Sequence, residues 1–434
     1  MRDLILAALL IYPMVMALRH PWIGVLGWTW VSIMNPHAFS WLLKDKPVAA
    51  AMAGAVMVGL LLTKDKRSFF ISRESGVLIA FMVWMCITLP FSFYLDASLP
   101  LWSRIMKIDF MILVAMVVLY SRKHIEALTW ILVLSLAFYG VKGGIFTILT
   151  GGSYRVWGPE GTYIDGNNEL AVALIMAIPL MRFLQQQATN KWVKRGLLMS
   201  MVLCAVAAIG SQSRGALLAL GAMGVVLWWR GKHKLQVGLL LVVLAVALVI
   251  FMPASWTDRM HSIKTYEQDG SAMGRINAWW MAFNLAKANL FGGGFMIYNP
   301  PVFAKFAPDP TDVHAAHSIY FMVLGEQGFI GLFLFLLIWA LVWNKAGKLV
   351  REGRKLPQTQ WLSDLGGMCQ VSLVGYAVGG AFLSLSYYDL PYNLLILVVV
   401  AWRWYERKGW IEEEREAAAT AAALKAKQGR VALT

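Results

Sequence analysis

Long apolar runs separated by short basic or polar loops dominate the chain. Runs at 47–63, 75–94, 100–120, 125–149, 167–184, 195–211, 214–230, 235–252, 317–343, 364–383 and 391–405 each come near the roughly 17–25 residues that a helix needs to cross a bilayer core. Residues 4–34 hold two shorter runs split by Arg19-His20-Pro21, which fit either one kinked span or a tight pair. The pattern predicts an all-α fold, a polytopic transmembrane helical bundle of about 12 spans, because only a helix satisfies its own backbone hydrogen bonds in lipid. The residue-by-residue alternation of a membrane β-barrel is missing, and no repeat of fixed period marks a solenoid. Residues 1–434 therefore read as one transmembrane domain.

The loops give an orientation. Lys64, Lys66, Arg67 and Arg73, then Arg122 and Lys123, Lys191, Lys194 and Arg195, Arg230, Lys232 and Lys234, the Lys345–Lys355 group, and Arg407 with Lys408 all fall on one face. The positive-inside rule makes that face cytoplasmic. The tail at 411–434 is alanine-rich and charged and reads as a cytoplasmic helix or frayed end. The opposite face carries 35–46, 90–100, 151–168, the turn at 211–214, the segment 253–316 and the turn at 384–391. Segment 253–316 is too long to be a simple connector and too aromatic to be a disordered one, so it reads as an outer, periplasmic loop region inserted between two spans. Within it Ile276, Trp279, Trp280 and Phe283 recur at helical spacing, which predicts a helix along the membrane surface with its Trp face down. Gly292-Gly293-Gly294 breaks that helix.

Composition agrees: 59% of residues are hydrophobic and 15% charged, with a mean hydropathy of +0.60. The net charge of +15 sits in the loops of one face, as membrane topology requires, and argues against a nucleic-acid partner. Cys86, Cys204 and Cys369 each lie inside an apolar run and read as small buried hydrophobes, not a disulfide or zinc framework. The first apolar run leads straight into others, as a signal anchor does. Trp22, Trp41, Trp228, Trp229, Trp402 and Trp404 lie near span ends and fit interfacial belts.

The outer face also carries the candidate chemistry. Arg214, in the turn Ser211-Gln212-Ser213-Arg214-Gly215, reads either as a lipid-snorkelling arginine or as a bidentate phosphate binder among serine donors. Arg275, after Gly274, reads as an interfacial charge or as an anion binder at the start of the surface helix. His317 opens a span. It has three readings: an interfacial polar residue, a metal ligand with His314 and Asp312, or a general base kept neutral by the positive end of a helix. Arg155, Asp165, Asn167, Asn168 and Glu169 in or beside the 151–168 loop, and Asp389 in Tyr387-Tyr388-Asp389-Leu390-Pro391, are candidates for sugar hydroxyls, or simply turn formers. Lys107, Asp109 and Lys142 are charges inside spans, Lys107 and Asp109 as a possible structural pair. No Walker loop, Gly-x-Ser-x-Gly or Asp-x-Asp occurs, so no metal and no cofactor are expected, and arginines must balance the charge of any phosphate ligand.

His317-Ser318, nine residues and Gly328 resemble the His-[Asn/Ser/Gln]-x9-Gly signature of bacterial O-antigen ligases. Ser211-Gln212-Ser213-Arg214-Gly215 and Ser271-Ala272-Met273-Gly274-Arg275 resemble two further segments of that family, and Met34-Asn35-Pro36-His37 resembles the opening of its ligases. The likeness is good over roughly 165–340. It implies a superfamily of O-antigen ligases, O-antigen polymerases and protein O-oligosaccharyltransferases. It also implies a metal-independent, inverting transfer of O-antigen glycan from undecaprenyl diphosphate to lipid A–core oligosaccharide, at the periplasmic face of the inner membrane. By position, Arg214 and Arg275 would hold the donor diphosphate and His317 would activate the acceptor hydroxyl, with Arg155, Asn168, His314 and Asp389 as further candidates. The rival class, a transporter of lipid-linked glycan or solute, would place charges along a midplane path, whereas here the polar residues gather at one face.

Overall fold

The computed structural model describes residues 2–44, 46–63, 71–230, 234–235, 238–239, 270–415 and 418–419. Fourteen α-helices run through them: α1 (Arg2–Ala17), α2 (Pro21–Met34), α3 (Val48–Leu62), α4 (Arg73–Thr88), α5 (Leu95–Val118), α6 (Arg122–Leu149), α7 (Asn167–Gln187), α8 (Lys191–Gly210), α9 (Arg214–Arg230), α10 (Gly270–Ala288), α11 (Pro300–Phe306), α12 (Ile319–Gly353), α13 (Gln360–Gly380) and α14 (Asp389–Glu406). No strand occurs among the described residues. The span expected at 235–252, the start of the 253–316 segment with Trp256 and Tyr266, and most of the 411–434 tail lie largely outside the described residues.

Among the described residues, five helical stretches are long and apolar enough to cross a membrane: Arg73–Phe91, Arg122–Leu149, Asn167–Gln187, Lys191–Gly210 and Ile319–Gly353. The chain is an integral membrane protein. The remaining expected spans that fall among the described residues are helical but are not long and apolar enough by that measure. α1, α2 and α9 have 16, 14 and 17 residues. α5 carries Arg104, Lys107 and Asp109, and α14 has Asp389, Arg403 and Glu406. The 4–34 region resolves into two helices, with Pro21 at the first turn of α2, where a missing N–H costs nothing.

Small residues set how closely the helices approach. On α6, a side chain at Gly144 would collide with the Leu203 backbone of α8, and one at Gly140 with the Cys204 sulfur. This is how apolar helices associate in lipid, where dispersion contacts replace the hydrophobic drive. Cys204 and Cys369 are buried as expected, but Cys86 is exposed on α4; a helix facing lipid has no reason to hide a thiol. The tryptophan belt is also mixed: Trp41 and Trp229 are 88% and 71% exposed, whereas Trp404 is buried at 1% against Trp361. Lys107 is exposed and Asp109 buried, so the anticipated pair does not form. Residues two apart on a helix face different ways. A buried ion pair, Lys345 Nζ to Glu74 at 2.6 Å, instead ties α12 to the start of α4.

α12 is not one straight rod. Gly328 has φ +69° and ψ −173°, which breaks it into a nine-residue segment, Ile319 to Gln327, and a long second part. The carbonyls stranded at the break find partners elsewhere. Gly293 N–H donates to Gly325 O (2.9 Å), Gly294 N–H to Glu326 O (3.0 Å) and the Trp84 indole to Gln327 O (2.8 Å). The glycine run at 292–294 therefore does more than end α10. It receives the broken end of α12, and a Cβ at Gly328 would strike the Leu290 carbonyl.

Candidate active site

The loop between α8 and α9 is shaped by its serines. Ser211 Oγ donates to Ala208 O (2.6 Å), and Ser213 Oγ caps α9 by accepting from the Ala216 N–H (3.2 Å). Both serines are buried: the Ser211 hydroxyl is spent on the backbone, and Ser213, besides capping α9, lines the cleft beside Arg214. Asn167 fixes the same turn from α7, its amide donating to Ser211 O (2.7 Å). Gln212, in the left-handed region at φ +57°, donates to Gly152 O (3.0 Å) and accepts from Arg155 Nε at 3.5 Å. Arg155 thus sits at the edge of the Arg214 turn.

A cleft opens between this turn, the first turn of α7, helix α10 and the end of α13. Arg214, Arg275, Asn168, Gln212 and Phe382 line it. The two arginines are 61 positions apart in the chain and share one concavity. The route by which Arg275 arrives differs from the expectation. α10 is already helical at Gly270, so Arg275 stands more than a turn inside it and not at a free helix N-terminus. Its guanidinium, and not a helix dipole, supplies the positive charge.

His317 lies in the connection that ends at Ser318, the N-cap of α12, with φ +41°. That connection is held to α10 at several points. Asn277 donates to Asp309 O and Asp312 O (both 2.8 Å) and accepts from Asp309 N–H (2.9 Å). The Trp279 indole donates to Ala316 O (2.8 Å) while its ring stacks on Phe321, 5.0 Å between centroids. His314 covers Gly274, where a Cβ would lie 2.5 Å from its ring. Burial, then the charge of Arg275, then His314, lower the His317 pKa from 6.5 to about 4. The ring is therefore held neutral, by burial and by Arg275 more than by the helix terminus invoked from sequence. His317 Nδ1 is buried and makes no hydrogen bond among the described residues.

The α10 face that packs inward is Ala278, Met281, Ala282 and Leu285, not the stripe Ile276, Trp279, Trp280 and Phe283. Trp280 is 52% exposed, and Trp279 is occupied with the His317 connection. Alanine and methionine at the inward positions let α10 lie close on Gly325 of α12.

Asp312 and His314 form a pair, 3.2 Å from oxygen to Nδ1. Among the described residues no three His, Cys, Asp or Glu side chains converge as metal ligands, so the Asp312, His314 and His317 trio does not assemble as one. Asp165 is exposed, whereas the Glu169 carboxylate folds back over Gly166 at the start of α7. Asp389 is not in the cleft lining. It is 1% exposed, the first residue of α14, and accepts from Ser32 Oγ of α2. Tyr163, with Arg104 4.3 Å over its ring, closes the same buried cluster. Lys142 is exposed on α6. Sequence reasoning missed Asn277, Gln212 as a cleft residue, and Phe382; only the Asn and Gln were of a type that invites notice.

Two family models match the chain. Residues 1–189 match a family of unknown function, DUF5935. Residues 199–336 match the O-antigen ligase model, and Arg214, Arg275 and His317 all fall within that match. No curated protein matches. Among solved structures, a chain from work described as "Structural coordination of polymerization and crosslinking by a peptidoglycan synthase complex" aligns at 18% identity over 76% of this chain and 97% of that one, with a TM-score of 0.40. The match over residues 199–336 supports the O-antigen ligase superfamily, membrane glycosyltransferases of ligase and polymerase type.

Proposed function

We propose that this protein moves a glycan from undecaprenyl diphosphate to a hydroxyl of lipid A–core oligosaccharide, at the periplasmic face of the bacterial inner membrane. The observation that carries the reading is the pairing of Arg214 and Arg275 in one cleft, with the Arg275 charge felt at the imidazole of His317. Two guanidinium forks suit a diphosphate, because each can hold two oxygens at once. Asn168 and Gln212 add neutral donors and acceptors for sugar hydroxyls. His317, neutral, takes the proton of the acceptor hydroxyl as its oxygen attacks the anomeric carbon. The bond from that carbon to the diphosphate breaks, and the electron pair leaves on the diphosphate, whose growing charge the arginines stabilise. A single displacement inverts the anomeric centre. The arginines take the part that a divalent cation plays elsewhere, so neither metal nor cofactor is required.

The test is reconstitution of the purified protein with undecaprenyl-diphosphate-linked glycan and lipid A–core, in excess EDTA. Capped lipid A–core with inverted anomeric configuration is expected. Longer lipid-linked chains, or transfer to a protein acceptor only, would assign the sister activities. Loss of turnover in EDTA with recovery on adding magnesium, manganese or zinc would overturn the metal-independent mechanism.

A further inference from the structure

The short helix that ends at Gly328 has a further neighbour at both of its ends, the connection between α13 and α14. At the start of that helix, Ser386 Oγ donates to Ile319 O (3.0 Å). At its far end, the Tyr387 hydroxyl donates to Glu326 Oε2 (2.7 Å), and both of those side chains are almost completely buried. Two consecutive residues, 67 and 61 positions from their partners in the chain, thus grip the two ends of the helix that follows His317-Ser318. The connection is itself fixed. Tyr376 of α13 donates to Leu385 O (3.1 Å), Tyr392 of α14 donates to Ser386 O (3.0 Å), and Ser32 of α2 donates to the Asp389 carboxylate. The Tyr387 ring also meets Phe295 edge-on, 5.7 Å between centroids, and Phe295 O accepts from Ser98 Oγ of α5 (2.9 Å).

We infer that Glu326 and Tyr387 are positioning residues for His317, setting through the short helix where its imidazole stands relative to Arg275. The inference rests on the general-base reading of that histidine. Nine residues make about two and a half turns, too few to hold a helix in place unaided. An apolar side chain could fill the space of Glu326 without taking a carboxyl out of water, so packing does not explain the residue. Apolar faces also tolerate small shifts against each other, whereas a hydrogen bond between two buried groups is satisfied only over a narrow range of distance and angle. The Glu326 carbonyl accepts from Gly294 N–H (3.0 Å), so main chain and side chain tie this one residue to two different segments. With Ser386 on Ile319, the helix is kept from sliding or turning about its axis. Only Ser318 separates His317 from that helix, so a shift of the helix moves the imidazole. A misplacement of about 1 Å can cost about 10² in rate.

The experiment compares full-length wild type with Tyr387→Phe, Glu326→Ala and Glu326→Gln in lipid nanodiscs, with undecaprenyl-diphosphate-linked glycan and lipid A–core as substrates. Tyr387→Phe and Glu326→Ala should lower kcat about 10- to 100-fold and leave the donor KM unchanged, because the arginines are not touched. Glu326→Gln keeps an acceptor for the Tyr387 hydroxyl and should retain most of the turnover. The pH profile should move as well. Burial is the largest cause of the lowered His317 pKa of about 4, ahead of Arg275 and His314, so a loosened imidazole carries the acid limb of kcat/KM up towards 6.5. Ser372→Ala is the control for stability alone, since it deletes a buried hydroxyl that joins α13 to α7 by donating to Met176 O (2.8 Å). It should lower the thermal midpoint and leave the acid limb where it is. A readout independent of turnover is the rate at which diethyl pyrocarbonate modifies His317, followed by peptide mass spectrometry. That rate should rise several-fold in Tyr387→Phe and stay at the wild-type value in Ser372→Ala. Unchanged reactivity in Tyr387→Phe, or a loss in Glu326→Gln as deep as in Glu326→Ala, overturns the inference. The two readings also fail separately. Turnover retained in His317→Ala sinks the general base, and faster modification of His317 in Tyr387→Phe then leaves the positioning standing.

Discussion

Burial and the charge of Arg275 hold His317 neutral down to about pH 4. In its proposed role as general base it must be neutral, so activity should be present above that value and be lost as pH falls through it. kcat/KM, which reports the free enzyme, should therefore stay level between pH 5 and 7 and drop only near the lowered pKa of about 4. A bound diphosphate offsets the repulsion from Arg275 and raises the imidazole pKa in the complex, so the acid limb of kcat should lie above that of kcat/KM. An acid limb of kcat/KM at 6.5 or higher would remove His317 from the role. His317→Ala should lower the rate by about 10²–10⁴ while donor lipid still binds. His314→Ala, three residues away and already paired with Asp312, should do far less. The arginines test differently. Arg214→Lys and Arg275→Lys keep the charge but lose the fork, so each should weaken donor binding, measured as KM, with alanine worse than lysine. Wild-type KM in Arg214→Ala at normal protein level would reduce that residue to a lipid anchor.

At the scale of elements, the helix break gives the His-x10-Gly spacing a physical meaning. The nine residues from Ile319 to Gln327 form one short helix, with His317 before its start and Gly328 at its end. The far end is locked to Gly293 and Gly294, and the near end to α10 through Trp279 and Asn277. The histidine is thus held at both ends of a short strut. Gly328→Ala should cost about 1–3 kcal/mol, from a left-handed φ and from the Leu290 carbonyl that its methyl would meet. The readout is a lower thermal midpoint in detergent. Gly54→Ala, whose methyl meets open space on α3, is the control and should hold or raise that midpoint. Equal midpoints for both variants would mean the break is not under strain.

At the scale of the molecule, the mechanism needs the arginine cleft on the outer face. With Cys86 replaced, since it is exposed, Thr311→Cys should react in whole cells with a membrane-impermeant thiol reagent that passes only the outer membrane, and Arg354→Cys should not. The reverse pattern would place the cleft in the cytoplasm, where a periplasmic transferase could not work. Both positions are exposed in the structure, so silence at one of them reports topology and not burial.

Much of this was legible in the chain itself. Hydrophobic runs of bilayer length are a local property, so the helices appear where periodicity puts them, and α9 coincides with its run at 214–230. Arg214, Arg275 and His317 stand out because they sit in recognisable segments. What brings them together is not local. The cleft forms only because Asn167 pins the Ser211 turn to α7, and because Asn277 and Trp279 pin the His317 connection to α10. Those contacts join residues 32 to 44 positions apart. Ser211 looks like a ligand donor until the fold shows its hydroxyl spent on the Ala208 carbonyl. Asp389 looks like a loop acid until α2 closes over it. Sequence determined which segments are helical and which side chains could do chemistry. Tertiary structure alone decided which of them share a cleft, because a helix's partners depend on shape and hydrogen-bond closure between distant segments, and periodicity along one segment does not encode either.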